Sequence, residues 1–257
     1  MSVSPPEVGD ASAAPTGVQA GRLEEAQVRA MFDRIAGLYD RMNTVMTAGL
    51  HRTWRRRAAE LAEVSPGDRV LDVATGTGDL ALELAARVAP GGEVVGIDFS
   101  TRMLELARAK ARAGGPPDVE VRFQAANALA LPFAADEYAA ATVGFGARNF
   151  SDLERGLAEM VRVVRPRGRV VVLEITTPRR RALSTFFELW FDRVVPVLGR
   201  VAGDAQAYSY LPSSVRRFPG PEQLAGVMAR SGLGDVRYFL TAGGIVALHV
   251  GVVRGDV

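Results

Sequence analysis

From Val70 onward, the chain alternates between short apolar runs and longer amphipathic segments. Short apolar runs bounded by glycine, proline and polar residues predict strands, and apolar positions spaced three and four residues apart predict helices. Strands are predicted at 69–74, 93–98, 119–124, 138–144, 168–175, 234–240 and 245–252, and helices at 79–89, 100–113, 152–165, 182–199 and 221–232. This alternation is typical of an α/β fold with a mostly parallel sheet covered on both faces.

The last two predicted strands are joined by only four residues, 241–244. Parallel neighbours need a crossover of a dozen or more residues, so this pair must form an antiparallel hairpin. We therefore predict a seven-stranded, mostly parallel sheet with a C-terminal antiparallel hairpin. That architecture fits the Rossmann-like class I methyltransferases that use S-adenosylmethionine (SAM) better than an all-parallel dinucleotide fold.

The segments outside this pattern suggest the domain organisation. Residues 1–21 are rich in proline, alanine, glycine and serine, and we expect a disordered tail. Residues 22–257 are predicted to form a single domain, with two helices over 22–63 and an insertion at 182–220. The apolar stripe of 182–199 has two interpretations: a helix packed on the sheet, or a lid over an apolar substrate that contacts lipid.

Composition excludes several kinds of site. The chain has no cysteine and only two histidines, so we expect no metal. The net charge is +2, without a basic stripe interleaved with aromatic residues, which argues against a nucleic-acid partner. No apolar run approaches the roughly 20 residues that cross a bilayer. We expect a cytoplasmic protein, whose contact with a membrane would be peripheral.

The most informative segment is Asp-Val-Ala-Thr-Gly-Thr-Gly at 72–78, where a predicted strand runs into a glycine turn and a helix. Such a turn holds a nucleotide-like ligand, because glycine allows close approach and the helix directs its amides at the ligand. Residues 76–81 also fit the dinucleotide fingerprint, and Asp98 follows 22 residues after Gly76, as a ribose-binding acid would. The turn alone therefore leaves a dehydrogenase and a SAM enzyme open.

Two features favour SAM. Asp72 is an ionisable residue within an apolar strand, where it could orient the glycine loop or meet the ammonium group of SAM. In addition, Lys110 is the only lysine, and no tyrosine is followed by lysine four positions later. The proton relay of short-chain dehydrogenases and the lysine of a Walker phosphate loop are therefore missing.

Several further motifs lie at 39–43 with 51–54, at 127–128, 131–133 and 144–149, at 162–166 through 173–174, and at 243–249. In this order they resemble segments of the ubiquinone/menaquinone biosynthesis C-methyltransferases. The similarity covers roughly residues 28–253. One departure is Arg167, at the first position of a turn that is Gly-Gly in that family, where a side chain at positive φ costs on the order of 1 kcal/mol.

The resemblance implies which residues hold SAM. Asp98 would accept both ribose hydroxyls, although it could instead cap the helix at 100–113, a role also open to Ser100. Asn127 and Ala128 would flank the adenine, while an asparagine there is also ordinary loop chemistry. The predicted cofactor-binding residues are Asp72, Gly76, Thr77, Gly78, Asp98, Asn127, Ala128 and Gly144.

The resemblance also implies the reaction, C-methylation of a polyprenylated hydroquinone, and Phe218-Pro219-Gly220 favours demethylmenaquinol over the ubiquinone branch. Methylation of a quinol carbon needs a phenolate. We choose Arg148 as the cation that stabilises this phenolate, and the alternative role of Arg148 is a structural ion pair. Asp40 and His249 are the candidates for proton removal, and His249 could equally be a packed residue. An NAD-linked oxidoreductase and a non-catalytic scaffold are the competing functions, and a homodimer is left open.

Overall fold

A computed structural model describes residues 25–178, 189, 190, 193 and 205–255. The predicted tail at 1–21 and nearly all of the predicted helix at 182–199 lie outside these residues. The described helices are α1 (Glu25–Thr47), α2 (Leu50–Leu61), α3 (Asp79–Val88), α4 (Thr101–Gly114), α5 (Leu153–Val163), α6 (Ala205–Arg217) and α7 (Pro221–Arg230). The strands are β1 (Arg69–Val73), β2 (Glu93–Asp98), β3 (Glu120–Ala125), β4 (Tyr138–Gly144), β5 (Val164–Ile175), β6 (Leu233–Thr241) and β7 (Val246–Val253).

The described strands form one seven-stranded sheet in the order β3-β2-β1-β4-β5-β7-β6. β1 to β5 pair in parallel, and β7 lies between β5 and β6, antiparallel to both. The predicted fold class, with its C-terminal antiparallel hairpin, is confirmed. The order of strands reverses between β1 and β4, which is where open α/β sheets bind their ligands.

Helices bury the two faces of the sheet in separate cores. On one face, Val70, Val94 and Leu248 pack with residues of α2, α3 and α4. On the other, Leu71 and Val172 pack with residues of α5 and α7. Strands buried on both sides are apolar almost throughout, which is why the sequence shows them as short apolar runs.

The sequence misplaced the start of β5. The strand begins at Val164, four residues before the predicted 168, and pairs there with Tyr138 across an irregular register. Arg167 adopts φ 66° in this segment, so the family's Gly-Gly turn is built here with a side chain at its first position. A non-glycine residue at positive φ carries a steric cost of about 1 kcal/mol.

Candidate active site

The glycine turn between β1 and α3 has the conformation that its sequence requires. Gly76 and Gly78 both adopt positive φ, 56° and 84°. A Cβ on Gly78 would lie 3.0 Å from the Cβ of Ala107 on α4, whereas one on Gly76 would meet no atom within 4 Å. Gly78 is therefore fixed by packing, and Gly76 faces the open side of the turn, where a ligand can approach its backbone.

Asp72 is buried at the end of β1, and both of its carboxylate oxygens accept hydrogen bonds. Thr75 Oγ1 donates to one oxygen at 2.6 Å, and Thr142 Oγ1 donates to the other at 2.7 Å. Burial raises the pKa of Asp72 to about 6, against the opposing effect of the two threonines. The carboxylate orients the turn through Thr75, and it also lines the cavity described below.

Asp98 joins the glycine turn to the start of α4. One of its oxygens accepts from the backbone N–H of Gly76 at 2.9 Å, and the other accepts from the N–H of Ser100 at 2.8 Å. Ser100 caps α4 through its own side chain, which accepts from the N–H of Met103. Asp98 is therefore not the cap that the sequence allowed as its alternative role. Burial raises its pKa to about 6.

A first cavity of about 480 Å³ lies over the carboxyl ends of β1, β2, β3 and β4. Its size falls within the range of small-molecule sites. The α1 helix covers its outer side with Phe32 and Tyr39. We call it the cofactor cavity. The predicted residues that line it are Asp72, Gly76, Thr77, Asp98, Asn127, Ala128 and Gly144; Gly78 packs behind them.

Asn127 makes the loop bond that the sequence allowed, and it also lies at the cofactor cavity. Its side-chain oxygen accepts from the N–H of Leu129 at 2.9 Å, which is a local turn bond. It lines the cofactor cavity together with Ala128. The loop bond therefore holds the asparagine in place at the edge of the cavity.

The residues present fit SAM. Asp98 offers acceptors for ribose hydroxyls, and Asp72 offers a carboxylate for an ammonium group. The exposed backbone of the turn at Gly76 and the positive end of α3 lie between them. The groups lie along one continuous cavity, in the order that an adenosyl amino acid requires.

A second cavity of about 440 Å³ adjoins the first and is lined mainly by apolar side chains. We call it the acceptor cavity. Its walls come from α1, α2, α6 and the turn before β7, and include Trp190 from the otherwise undescribed segment. Four side chains line both cavities and therefore mark their junction: Phe32, Tyr39, Arg55 and Phe145.

Arg148 lines the acceptor cavity beyond this junction. Its guanidinium binds Glu174 at 2.8 Å and also donates to the carbonyl of Phe145, and both charged side chains are buried. Burial is the largest influence on the pKa of Arg148 and lowers it, but the charge and hydrogen bond of Glu174, together with Tyr39 and Tyr210, outweigh burial, and the net shift is upward. Nε of Arg148 is buried without a hydrogen-bond partner. Arg148 therefore forms a structural ion pair and also lines the acceptor cavity.

Asp40 lies on α1, next to Tyr39, which lines the cofactor cavity. Its carboxylate accepts from Thr77 Oγ1 at 2.6 Å and from Lys110 Nζ at 2.9 Å. These contacts join α1 to the glycine turn and to α4. Both oxygens are engaged, which is the geometry of a positioning group.

His249 lies apart from both cavities. Its side chain is on the face of β7 that carries Val253, opposite Val246, which lines the acceptor cavity. Nε2 lies 2.9 Å from the carbonyl oxygen of Pro221, and the ring stacks on Tyr238. This placement favours the packed alternative over proton removal.

The sequence analysis did not identify the buried residues of α2 that line the site. Arg55 lines both cavities, and His51 lines the acceptor cavity beside it. The four-residue spacing on one helix, together with their position in a family-like segment, was the available signal. Three further arginines of residues 50–61, Arg52, Arg56 and Arg57, are exposed and obscure this signal.

Within the part of the chain that the structure describes, no cluster of three or more His, Cys, Asp or Glu side chains could hold a metal ion. No helix in the same part is long and apolar enough to span a bilayer.

Comparison with known proteins agrees with this geometry. A demethylmenaquinone methyltransferase from Thermus thermophilus is 50% identical over 222 residues, covering 86% of this chain and 99% of the relative. The protein of the same name from Deinococcus radiodurans is 47% identical, covering 87% and 91%. The Geobacter sulfurreducens C-methyltransferase UbiE, of ubiquinone/menaquinone biosynthesis, is 42% identical and covers 88% of each chain.

Solved structures share the fold at low sequence identity. The [4+2]-cyclase SpnF aligns with a TM-score of 0.65 at 18% identity, covering 94% of this chain and 100% of its own. A SAM-dependent methyltransferase from Thermotoga maritima aligns with a TM-score of 0.59 at 18% identity, covering 87% and 98%. Residues 20–253 match the ubiE/COQ5 methyltransferase family. With this match, the two-cavity site at the switch point of the sheet and relatives of up to 50% identity, the chain belongs to the ubiE/COQ5 methyltransferase family.

Proposed function

We propose that the protein is a SAM-dependent C-methyltransferase that converts demethylmenaquinol to menaquinol in respiratory quinone biosynthesis. The observation that carries this proposal is the junction of a polar cavity suited to SAM with an apolar cavity suited to a prenylated ring. The relatives at 50% and 47% identity, named demethylmenaquinone methyltransferases, support this choice. The Geobacter relative is named for both quinones, which keeps the ubiquinone branch as the alternative.

In the cofactor cavity, we assign Asp98 to the ribose hydroxyls and Asp72 to the ammonium group. Asn127 and Ala128 would flank the adenine, and Gly76, Thr77, Gly78 and Gly144 would shape the wall of the cavity. SAM supplies an electrophilic methyl group on its sulfonium. Since that group needs little activation, placing it in line with the acceptor carbon accounts for most of the rate, worth up to about 7–11 kcal/mol in favourable cases.

The acceptor must be ionised before transfer. A phenol has a pKa of about 10, so forming the phenolate at pH 7 costs about 4 kcal/mol. We assign Arg148 to offset part of this cost, because its fixed guanidinium lines the acceptor cavity and a buried cation stabilises a nearby oxyanion strongly. The phenolate's ortho carbon then forms a bond to the methyl group as the sulfur–methyl bond breaks and S-adenosylhomocysteine leaves. Loss of the ring proton to solvent restores aromaticity.

Asp40 serves in this scheme as a positioning residue. It holds Thr77 and Lys110, so it fastens α1 over the cofactor cavity. A peripheral contact with the inner face of the membrane, which a prenylated substrate would favour, and a homodimer stay predictions of the sequence.

Purified protein incubated with methyl-labelled SAM tests the proposal. We expect label in menaquinol when a demethylmenaquinol is supplied, and much slower transfer to the methoxy-polyprenyl-benzoquinol of the ubiquinone branch. The reverse preference would contradict the branch. Binding of S-adenosylhomocysteine without transfer to either quinol would favour the non-catalytic scaffold, and preferential binding of NAD would favour an oxidoreductase.

A further inference from the structure

A buried cation on α2 reaches both cavities. Arg55 is only 6% exposed, yet it lines the cofactor cavity and the acceptor cavity. Its guanidinium lies over the ring of Phe145, 5.6 Å from the centroid, and Phe145 also belongs to the junction. A buried cation needs hydrogen-bond and charge partners, and the described residues supply Arg55 with only some of them.

One polar contact of Arg55 is with a histidine and not with a carboxylate. Its Nη1 binds Nδ1 of His51, and because arginine has donors only, Nδ1 must be the acceptor. Nε2 of His51 then carries the hydrogen and donates to Thr44 Oγ1, whose own hydrogen goes to the carbonyl of Asp40. Burial, followed by the charge of Arg55, lowers the pKa of His51. The imidazole is therefore held neutral.

The carboxylate nearest to Arg55 is shared with a second cation. Asp79 lies 3.6 Å from Nη1 of Arg55, while Lys110 makes a closer contact with the same carboxylate. Both described polar contacts of Arg55 use Nη1. Its Nε and Nη2 make no hydrogen bond to any residue that the structure describes. Of the five N–H donors of the guanidinium, several are left for a ligand.

The complementary charge lies at the same end of the cofactor cavity. The charge of Arg55 stabilises the ionised form of Asp72, so the two groups interact there. An anion and a cation that line one cavity match an amino acid, which carries an ammonium and a carboxylate on one carbon. The other described cation lining this cavity, Arg29, donates a hydrogen bond to Thr101 at the start of α4.

From this juxtaposition we propose that Arg55 binds the carboxylate of the methionyl group of SAM, opposite Asp72, an inference that rests on the proposed function. A planar guanidinium can bind a carboxylate with two parallel hydrogen bonds. Phe145 and His51 hold its plane in place. The competing role is to face the phenolate of the acceptor, but the acceptor cavity already holds Arg148.

Binding of two ligands to two variants tests the inference. The ligands are S-adenosylhomocysteine and its decarboxylated analogue, and the variants are Arg55→Met and, as control, Arg56→Met at the neighbouring exposed arginine. We expect the wild-type protein to bind S-adenosylhomocysteine about 30-fold or more tightly than the analogue, because a lost buried charge contact is costly. Arg55→Met should abolish this preference and leave the affinity for the analogue unchanged, and Arg56→Met should change neither.

Each outcome has a separate meaning. Equal affinity of the wild-type protein for the two ligands overturns the inference without any variant. An Arg55→Met protein that keeps the preference but loses methyl transfer also overturns it, and assigns the guanidinium to the acceptor. A wild-type protein that binds neither ligand overturns the proposed function instead. If Arg55→Met fails to fold, Arg55→Lys should keep part of the preference, since it retains the charge but loses the bidentate geometry.

Discussion

The cofactor cavity and the acceptor cavity are similar in size, about 480 and 440 Å³, but they are built differently. Strand ends and the turns that follow them provide the floor of the cofactor cavity, so the hydrogen-bonded sheet fixes its polar groups. Side chains from helices and from the turn before β7 provide the acceptor cavity. The comparison indicates that the fold itself specifies the methyl donor, whereas the added helices specify the acceptor.

The largest effect is expected at the ion pair of the acceptor cavity. Replacing Arg148 by Met leaves Glu174 charged and unpaired in the interior, which should destabilise the protein by about 3–5 kcal/mol and abolish methyl transfer. The double variant Arg148→Met/Glu174→Met should recover most of the stability without recovering turnover. Chemical denaturation and labelled methyl transfer measure the two effects. Normal turnover in the double variant would show that Arg148 is structural alone.

The next effect concerns the floor of the cofactor cavity. Asp98→Ala removes the acceptors that we assign to the ribose, and it also removes those for the N–H groups of Gly76 and Ser100. We expect a loss of about 2–4 kcal/mol in the binding of S-adenosylhomocysteine, or at least about 30-fold. Calorimetric titration measures it. The KM for the quinol at saturating SAM should stay near normal, and a comparable rise there would mean that the two cavities are not separate.

The pH dependence should also differ between the cavities. The pKa values of Asp72 and Asp98 are raised to about 6, so their ionised forms are lost as the pH falls below that value. Affinity for S-adenosylhomocysteine should fall about fivefold per carboxylate between pH 6 and pH 5. The KM for the quinol should not follow, because no aspartate or glutamate among the described residues lines the acceptor cavity.

As the pH falls, the free energy of unfolding of the ligand-free protein should rise, whereas the affinity for S-adenosylhomocysteine falls. A carboxylate whose pKa is raised by folding contributes stability below its unfolded value, near 4, and loses it as the pH rises through about 6. Asp72→Asn removes one of the two titrations and serves as the control for both measurements. An affinity that is flat between pH 5 and pH 7 would contradict the assignment of these carboxylates to the ligand.

The smallest effect is expected from filling the acceptor cavity. Ile245→Trp places a larger side chain into its wall and should raise the KM for the quinol several-fold, with the affinity for S-adenosylhomocysteine unchanged. Leu240→Trp, at a half-exposed position on β6, is the matched control. If Ile245→Trp weakened the binding of S-adenosylhomocysteine and left the KM for the quinol unchanged, the roles assigned to the two cavities would have to be exchanged.

The residues that line the cofactor cavity were largely predictable because their signal in the sequence is local. The end of β1, the glycine turn and the start of α3 are contiguous, and the parallel strands bring Asp98, Asn127 and Gly144 to the same edge. Strand periodicity and the spacing between elements are enough to place such residues. The start of β5 was placed wrongly because an irregular segment with Arg167 at positive φ has no simple period.

The sequence by itself determined the α/β sheet, its antiparallel hairpin, the SAM-type turn and the family. Only the tertiary structure decided that β7 inserts between β5 and β6, that Asp40 holds Thr77 and Lys110, and that Arg148 pairs with Glu174. The physical reason is the distance along the chain over which each kind of interaction acts. Helix and strand periods and turn chemistry act between residues close in the chain, whereas buried polar contacts depend on which surfaces the hydrophobic cores bring together.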